Sequence, residues 1–114
     1  MAERFDRETL MERIDGDREL LAELFEDFLQ DKDDHLENAR TAIAASSLKG
    51  MYDAVHALRG CVANFCANRA FDVASELQDR LRNDWGDDIA TMFKGLEGEI
   101  ASLTDELRSF VEQG

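Results

Sequence analysis

Two histidines and two cysteines are the side chains of this 114-residue chain best suited to nucleophilic chemistry. His56 differs from the others by its neighbours, because Arg59 and Gly60 follow it one helical turn later. A neutral imidazole is a competent nucleophile near neutral pH and forms covalent intermediates. On position alone, an exposed helical histidine is more often inert than reactive, so both interpretations stay open at this point.

The other candidates predict little chemistry. A di-iron bundle needs two Glu-x-x-His pairs, whereas this chain has a single Asp31 and His35 spacing, so we expect no metal site. Cys61 and Cys66 point in different directions on one predicted helix and are expected to be reduced thiols, Cys61 in the core stripe and Cys66 at its edge. The sequence has no glycine-rich phosphate loop, Cys-x-x-Cys, His-Glu-x-x-His or serine elbow, so we expect that it is not an enzyme.

The charge balance narrows the choice of partners. Acidic residues outnumber basic ones by 26 to 13, which gives a formal net charge of −13, so neither nucleic acids nor membrane surfaces are expected as partners. No run approaches the roughly 18 apolar residues of a membrane span, and the N-terminal stretch lacks the basic and apolar regions of a signal peptide. We expect a cytoplasmic protein.

The element that positions His56 is the stretch 47–67, which its apolar spacing predicts to be one amphipathic helix. Ser47 is the candidate N-cap, and Asn68 is the candidate stop because asparagine tolerates the left-handed conformation at helix ends. His56 falls nearly opposite the core stripe, which consists of Met51, Ala54, Leu58, Cys61, Val62 and Phe65.

The rest of the chain contains no proline and four more amphipathic segments, at 6–14, 17–45, 69–82 and about 87–111. Asp6 and Asp17 are candidate N-caps of the first two. These elements predict an all-α protein, an antiparallel up-and-down four-helix bundle with a short N-terminal capping helix. We expect one domain over 1–114 and a monomer. Gly95 and Gly98 either permit a close helix crossing or are exposed positions of weak helix propensity.

Residues 56–60, His-Ala-Leu-Arg-Gly, and 63–67, Ala-Asn-Phe-Cys-Ala, resemble the signature of histidine-containing phosphotransfer (HPt) domains. That signature is His-x-Leu-Lys-Gly followed by a small-Asn-apolar-small-Ala stretch. The similarity covers nearly the whole chain, because the Leu and Phe pairs of 19–29, the segment 39–45 and the last helix fall where the family has its other helices.

The resemblance implies that His56 is phosphorylated on its outer ring nitrogen. It would receive the phosphoryl group from a receiver domain or a hybrid histidine kinase and pass it to another response-regulator receiver domain. Gly60 matches the glycine that leaves room for the receiver, and Arg59 stands where the family usually has lysine. Arginine carries a broad, planar guanidinium where lysine carries a compact ammonium, so we expect an effect on the transfer rate or on the choice of partner.

Gln78 has two interpretations. It lies within the angular range of the apolar stripe of 69–82, where an amide needs a hydrogen-bond partner. In HPt domains a polar residue at this spacing accepts a hydrogen bond from the inner imidazole nitrogen, which holds the ring with its outer nitrogen toward solvent. Alternatively, Gln78 flanks the core and reaches water.

The resemblance also implies a docking surface around His56 with few charges. No cofactor is expected in the chain, so the receiver would supply the magnesium ion. Cys61 and Cys66 replace a common serine and a frequent glycine, and we expect both changes to affect packing rather than chemistry. The candidate partner-binding residues are Lys49, Tyr52, Val55, Gly60, Ala63, Asn64 and Ala67.

Two other functions stay open on the sequence alone. The first is an acidic helical interaction module that docks a signalling partner through the same face without phosphorylation. The second is the phosphotransfer part of a longer kinase. The initiating Met1 directly before a capped helix favours a free-standing protein instead.

Overall fold

The computed structural model describes residues 4–113, and within this range the chain forms five helices and no strands. Four long helices pack as a ring in which each contacts the next and the last contacts the first, which confirms the predicted antiparallel four-helix bundle. The helices are α1 (Arg7–Arg13), α2 (Arg18–Ala44), α3 (Leu48–Ala63), α4 (Asn68–Arg80) and α5 (Asp88–Glu112).

The short helix α1 lies at the end of the bundle where α2 and α4 begin and where α3 and α5 end. The backbone N–H of Asp6 donates to the Cys66 carbonyl at 3.0 Å, and the ring of Phe5 packs 5.4 Å from that of Phe110. Arg13 also donates to the Ala63 carbonyl at 3.3 Å. These contacts confirm α1 as the predicted capping helix.

Three helices begin at the predicted side-chain caps. Asp6, Asp17 and Ser47 have extended backbones, and each side chain accepts a hydrogen bond from the backbone N–H three residues later, at 3.1, 3.0 and 3.0 Å. Such a cap stabilises a helix by about 1 kcal/mol because it satisfies a donor that has no partner inside the helix. The local sequence therefore fixes the starts of α1, α2 and α3.

The predicted end of α3 is wrong. Asn68 is the first residue of α4, and α3 already ends at Ala63. Cys66 takes the left-handed conformation instead, with φ 56°, while its N–H donates to the Ala63 carbonyl at 3.1 Å and the Ala67 N–H donates to the Val62 carbonyl at 3.3 Å. This pair of bonds is the Schellman arrangement, in which glycine usually holds the left-handed position. The Cys66 replacement therefore affects the backbone as well as packing.

The two cysteines exchange their predicted places. Cys61 is half-buried, whereas Cys66 is buried at the end of the bundle that α1 covers. Cys66 departs from the predicted helical wheel because α3 already ends at Ala63 and Cys66 lies in the turn that follows. The rest of the α3 stripe is confirmed, with Met51, Leu58 and Val62 fully buried.

The other elements agree with their predictions in most respects. Four consecutive charged residues at 31–34, Asp-Lys-Asp-Asp, do not interrupt α2. A Cβ atom added at Gly95 or Gly98 would have no neighbour within 4 Å, so these glycines are exposed positions rather than a close helix crossing. Phe71, in the predicted amphipathic segment 69–82, is only partly buried because it lies at the α3–α4 seam. In the described part of the chain, no helix is long and apolar enough to cross a bilayer.

Candidate functional site

Polar contacts link α3 to α4 along one seam. His56 contacts Gln78, and Arg59, three residues further along α3, contacts Ser75, three residues earlier on α4. This reciprocal spacing is what two antiparallel helices produce, since residues three apart are neighbours on one helix face. The α3–α4 seam therefore places the candidate nucleophile, the candidate cation and the candidate amide together.

The amide of Gln78 fixes the state of the His56 ring. Its Oε1 atom lies 3.1 Å from Nδ1 of His56, and an amide oxygen can only accept a hydrogen bond, so Nδ1 carries the proton. In a neutral imidazole the other nitrogen, Nε2, then keeps its lone pair. His56 is exposed while Gln78 is only 4% exposed, so the ring has a solvent-accessible side and a buried anchor. Of the two interpretations of Gln78, the contact with the inner nitrogen is the one observed.

Tyr52 completes this polar group. Its hydroxyl oxygen accepts a hydrogen bond from Gln78 Nε2 at 3.4 Å, and its ring lies parallel to the imidazole, with a centroid distance of 6.3 Å and an interplanar angle of 5°. Tyr52 was predicted as a partner-binding residue, and its half-buried position leaves only part of the ring for that purpose.

Arg59 is anchored on α4. Its Nε donates to the Ser75 hydroxyl at 2.8 Å, and its guanidinium carbon lies 4.5 Å from the centre of the Phe71 ring. Stacking on an aromatic face is a contact that a planar guanidinium makes well. Among residues 4–113 neither Nη atom has a hydrogen-bond partner, so both remain available for an anion.

The surface beside His56 is open where the sequence predicted it. A Cβ atom added at Gly60 would meet nothing within 4 Å, and Asn64, one turn later, is exposed. Ala63 is half-buried on the same side. Lys49 is exposed near the start of α3 and pairs with Asp53 at 2.8 Å, and this hydrogen bond, with the attraction of the carboxylate, raises the pKa of Lys49.

Two predicted docking residues do not reach the surface. Val55 is fully buried because it follows Met51 by one turn and so shares its side of α3. Ala67 is 1% exposed, because the chain turns after Ala63 and places this residue in the turn below α1. Both are corrected from docking residues to core residues.

A groove between α2 and α3 was missed by the sequence prediction. It has a volume of about 180 Å³, and Asp27 and Asp31 of α2 lie on its acidic side. Burial, with the nearby charge of Asp31, raises the pKa of the Cys61 thiol. The groove depends on how α2 and α3 are aligned, which no local pattern gives. The other lining residues are Leu24, Phe28, Cys61, Asn64 and Phe65.

The acidic residues around His35 do not gather into a metal site. Within residues 4–113 no group of three or more His, Cys, Asp or Glu side chains is arranged to hold a metal ion. His35 itself is half-buried on α2.

Comparisons with known proteins agree with this geometry. A protein-family model described as Hpt domain matches residues 23–110, which include α3, α4 and most of α2 and α5, and so the whole α3–α4 seam. Searches of curated proteins and of solved structures gave no significant match. Members of the matched family are phosphocarriers rather than kinases and interact with receiver and kinase domains. The chain belongs to the Hpt domain family, and it is a phosphotransfer module of two-component signalling.

Proposed function

We propose that this protein is a histidine phosphocarrier in a phosphorelay, with His56 as the residue that receives and passes on the phosphoryl group. The observation that carries the proposal is the hydrogen bond of His56 Nδ1 to the buried Gln78 amide, on an exposed ring. It leaves Nε2 unprotonated and accessible, which is the state a nucleophilic imidazole needs.

The transfer step is a displacement at phosphorus. The Nε2 lone pair attacks the phosphorus of an aspartyl phosphate on the receiver, the N–P bond forms as the bond from phosphorus to the carboxylate oxygen breaks, and the aspartate leaves as a carboxylate. Nδ1 of His56 keeps its proton throughout, hydrogen-bonded to Gln78 Oε1. The return step to a second receiver is the same reaction reversed, so the protein needs no general base of its own.

Charge stabilisation is shared between the two proteins. Phosphoryl transfer depends mainly on alignment and on positive charge near the transferred oxygens, and a magnesium ion bound by the receiver would supply most of that charge. The free Nη groups of Arg59 and, more distantly, Lys49 would add to it from this chain. No cofactor of its own is required.

The docking surface consists of His56, Tyr52, Gly60, Ala63 and Asn64, with the α2–α3 groove along one side. This strip carries few charges on a strongly acidic protein, as expected for the centre of an interface. Its partners are a response-regulator receiver domain, a hybrid histidine kinase, or both in succession. In this proposal the chain works as one domain, as a monomer and in the cytoplasm.

The proposal is tested by incubating the protein and its His56→Gln variant with a phosphorylated receiver domain and magnesium. We expect acid-labile, base-stable label on the original protein and none on the variant. Phosphoramidate, a small phosphoryl donor, serves as a second probe that needs no partner. Equal label on both proteins, or label on neither from receivers, kinases and phosphoramidate, would instead favour an interaction module that is not phosphorylated.

A further inference from the structure

Arg59 is held to α4 by two contacts that use different parts of its guanidinium. Its Nε–H donates to the Ser75 hydroxyl at 2.8 Å, and its central carbon lies 4.5 Å from the centre of the Phe71 ring. The direction of the hydrogen bond is unambiguous, because a guanidinium has only N–H donors and no acceptor. All three side chains are half-buried. The α4 helix thus occupies the Nε–H group and one face of the guanidinium.

The N–H groups of the two Nη atoms are the donors that remain. A guanidinium binds an oxyanion most strongly through two parallel N–H groups, either Nε with one Nη or the two Nη atoms together. The first pair is not available while Ser75 holds Nε–H. The contact with Ser75 therefore predicts that an anion binds Arg59 end-on, through both Nη atoms.

The partners of Arg59 are uncharged, in contrast to the partner of the other cationic side chain on α3. Lys49 pairs with Asp53 at 2.8 Å. Arg59 makes no ion pair with any residue between 4 and 113, although acidic residues outnumber basic ones by 26 to 13 in the sequence. A hydroxyl and an aromatic ring hold a guanidinium in place without neutralising its charge. The charge of Arg59 is therefore kept for an anion that is not a side chain of this protein.

The same contacts place the guanidinium beside His56. Arg59 follows His56 by three residues on α3, and Ser75 precedes Gln78 by three residues on α4, so the two interhelical contacts are neighbours along the seam. A free arginine side chain has many rotamers, and this freedom is lost when the side chain binds an anion. Ser75 and Phe71 impose most of that restriction before a phosphoryl group arrives.

We propose that Ser75 and Phe71 are positioning residues that hold Arg59 so that its two Nη groups bind the oxygens of the phosphoryl group on His56 end-on. This inference rests on the proposed function, because it needs a phosphoryl group on His56. A lysine in place of Arg59 would carry all its donors on one nitrogen, so it could not bind Ser75 and an anion through separate atoms.

The test follows the N–H signals of the Arg59 side chain by ¹⁵N NMR, before and after the protein is labelled with phosphoramidate. We expect labelling to shift the Nη–H signals and to slow their exchange with water. The Nε–H signal should move much less, because Ser75 still accepts from it. Unchanged Nη–H signals in the labelled protein would overturn the proposal, and so would an Nε–H shift as large as that of Nη–H.

Substitutions on α4 test the two contacts one at a time. In unlabelled Ser75→Ala, we expect Nε–H of Arg59 to exchange with water about fivefold faster, the effect of one ordinary hydrogen bond. In labelled Ser75→Ala and labelled Phe71→Leu, the Nη–H shift should be smaller, because the guanidinium is less well held. Ser75→Thr keeps the hydroxyl and should match the original protein. A full shift in Ser75→Ala would overturn the role of Ser75, and a full shift in Phe71→Leu that of Phe71.

A double substitution separates positioning from a general loosening of the seam. Labelling by phosphoramidate should be about twofold slower in Ser75→Ala than in the original protein, the size of a partly exposed charged contact. In an Arg59→Ala background the same substitution should have no effect, because the side chain that Ser75 positions is gone. An equal loss in that background would show that Ser75 acts without Arg59 and would contradict the proposal.

The outcomes distinguish this inference from the proposed function. If neither phosphoramidate nor a receiver labels His56, the proposed function and this inference fail together. If His56 is labelled but the Nη–H signals of Arg59 do not respond, the phosphocarrier function holds and the role of Ser75 and Phe71 does not.

Discussion

The α3–α4 seam and the outer side of α5 use polar groups in opposite ways. Around α5 the contacts are ion pairs: Arg40 pairs with Glu97 at 2.7 Å, Arg69 with Glu99 at 2.9 Å, and Arg4 with both Glu99 and Glu106. The seam instead holds its key side chain with a neutral amide and hydroxyls. Charge pairs connect α5 to its neighbours, whereas the reactive ring contacts the uncharged side chains of Gln78 and Tyr52.

The difference follows from what each region has to do. A carboxylate beside His56 would favour the protonated imidazolium, which has no lone pair for attack on phosphorus. A neutral amide orients the ring without placing a negative charge beside it. On α5 no group has to stay reactive, so opposite charges can pair there, with each exposed pair contributing up to about 1 kcal/mol. Substitutions in the two regions should therefore have separable effects on transfer and on stability.

The largest separation is expected for two exposed glycines. Gly60→Leu on the docking strip and Gly95→Leu on α5 both place a side chain where a Cβ atom has no neighbour within 4 Å. We expect both variants to fold, with a helix gain of up to about 1 kcal/mol over glycine. Only Gly60→Leu should block the approach of a receiver, and we expect transfer to fall about 100-fold, as steric displacement of reacting groups does.

The measurement compares transfer from a phosphorylated receiver with labelling by phosphoramidate. For Gly60→Leu we expect the first to be lost and the second to be kept, while Gly95→Leu should match the original protein in both. Full transfer by Gly60→Leu would remove this face from the docking surface, and equal losses in both variants would point to a general effect on the bundle.

Gln78→Ala tests the neutral anchor of the seam. Without the amide, the ring loses its contact to Nδ1, and we expect phosphorylation of His56 to slow about tenfold while the domain stays folded. Gln78→Glu sharpens the comparison by placing an α5-type carboxylate at the seam. Its labelling by phosphoramidate should be slow near neutral pH and recover as the pH rises, and a rate independent of pH would contradict the argument for a neutral partner.

The sequence predicted the helix starts from local patterns, and it predicted the site through its resemblance to a family. The caps Asp6, Asp17 and Ser47 act within three residues and were predicted from local spacing. The roles of His56, Arg59 and Gly60 were predicted from the resemblance of 56–67 to the HPt signature.

Other features needed three-dimensional information. Val55 was misplaced because the buried face of α3 is wider than predicted, and Ala67 because α3 ends earlier than predicted. The left-handed turn at Cys66 could not be recognised because it contains no glycine. The Tyr52 contact with Gln78 joins residues 26 positions apart, and the α2–α3 groove depends on helix alignment, so neither appears in a local pattern.

Arg59→Ala and Arg40→Ala compare one arginine from each region. The Arg59 guanidinium lies next to the reactive strip, and neither of its Nη atoms is hydrogen-bonded to a residue within 4–113, while Arg40 pairs with Glu97. We expect transfer by Arg59→Ala to fall about threefold at low salt, the size of a screened surface interaction, and the loss to shrink at high salt. Arg40→Ala should leave transfer unchanged. A loss in Arg59→Ala that does not depend on salt would assign the side chain to packing on Phe71.

The smallest effect is expected in acid unfolding, which should report on the charged contacts and not on the seam. The hydrogen bond from Arg80 lowers the pKa of Asp88 below its ordinary 3.8, and hydrogen bonds from Thr9 lower that of Asp6. A carboxyl group with a lowered pKa in the folded state stabilises the fold above its unfolded pKa, and this contribution is lost as the pH falls through the folded pKa.

Stability should thus be level from neutral pH to about pH 5 and then decline as the solution becomes more acidic. The comparison is made by denaturant unfolding from pH 7 to pH 2. Asp88→Asn has no carboxylate to protonate in acid, so its free energy of unfolding should be lower at neutral pH and should decline less steeply below pH 4. Gln78→Ala should leave the slope of that decline unchanged. An equal change of slope in both variants would mean that the seam is coupled to carboxylates after all, and the contrast between the two regions would fail.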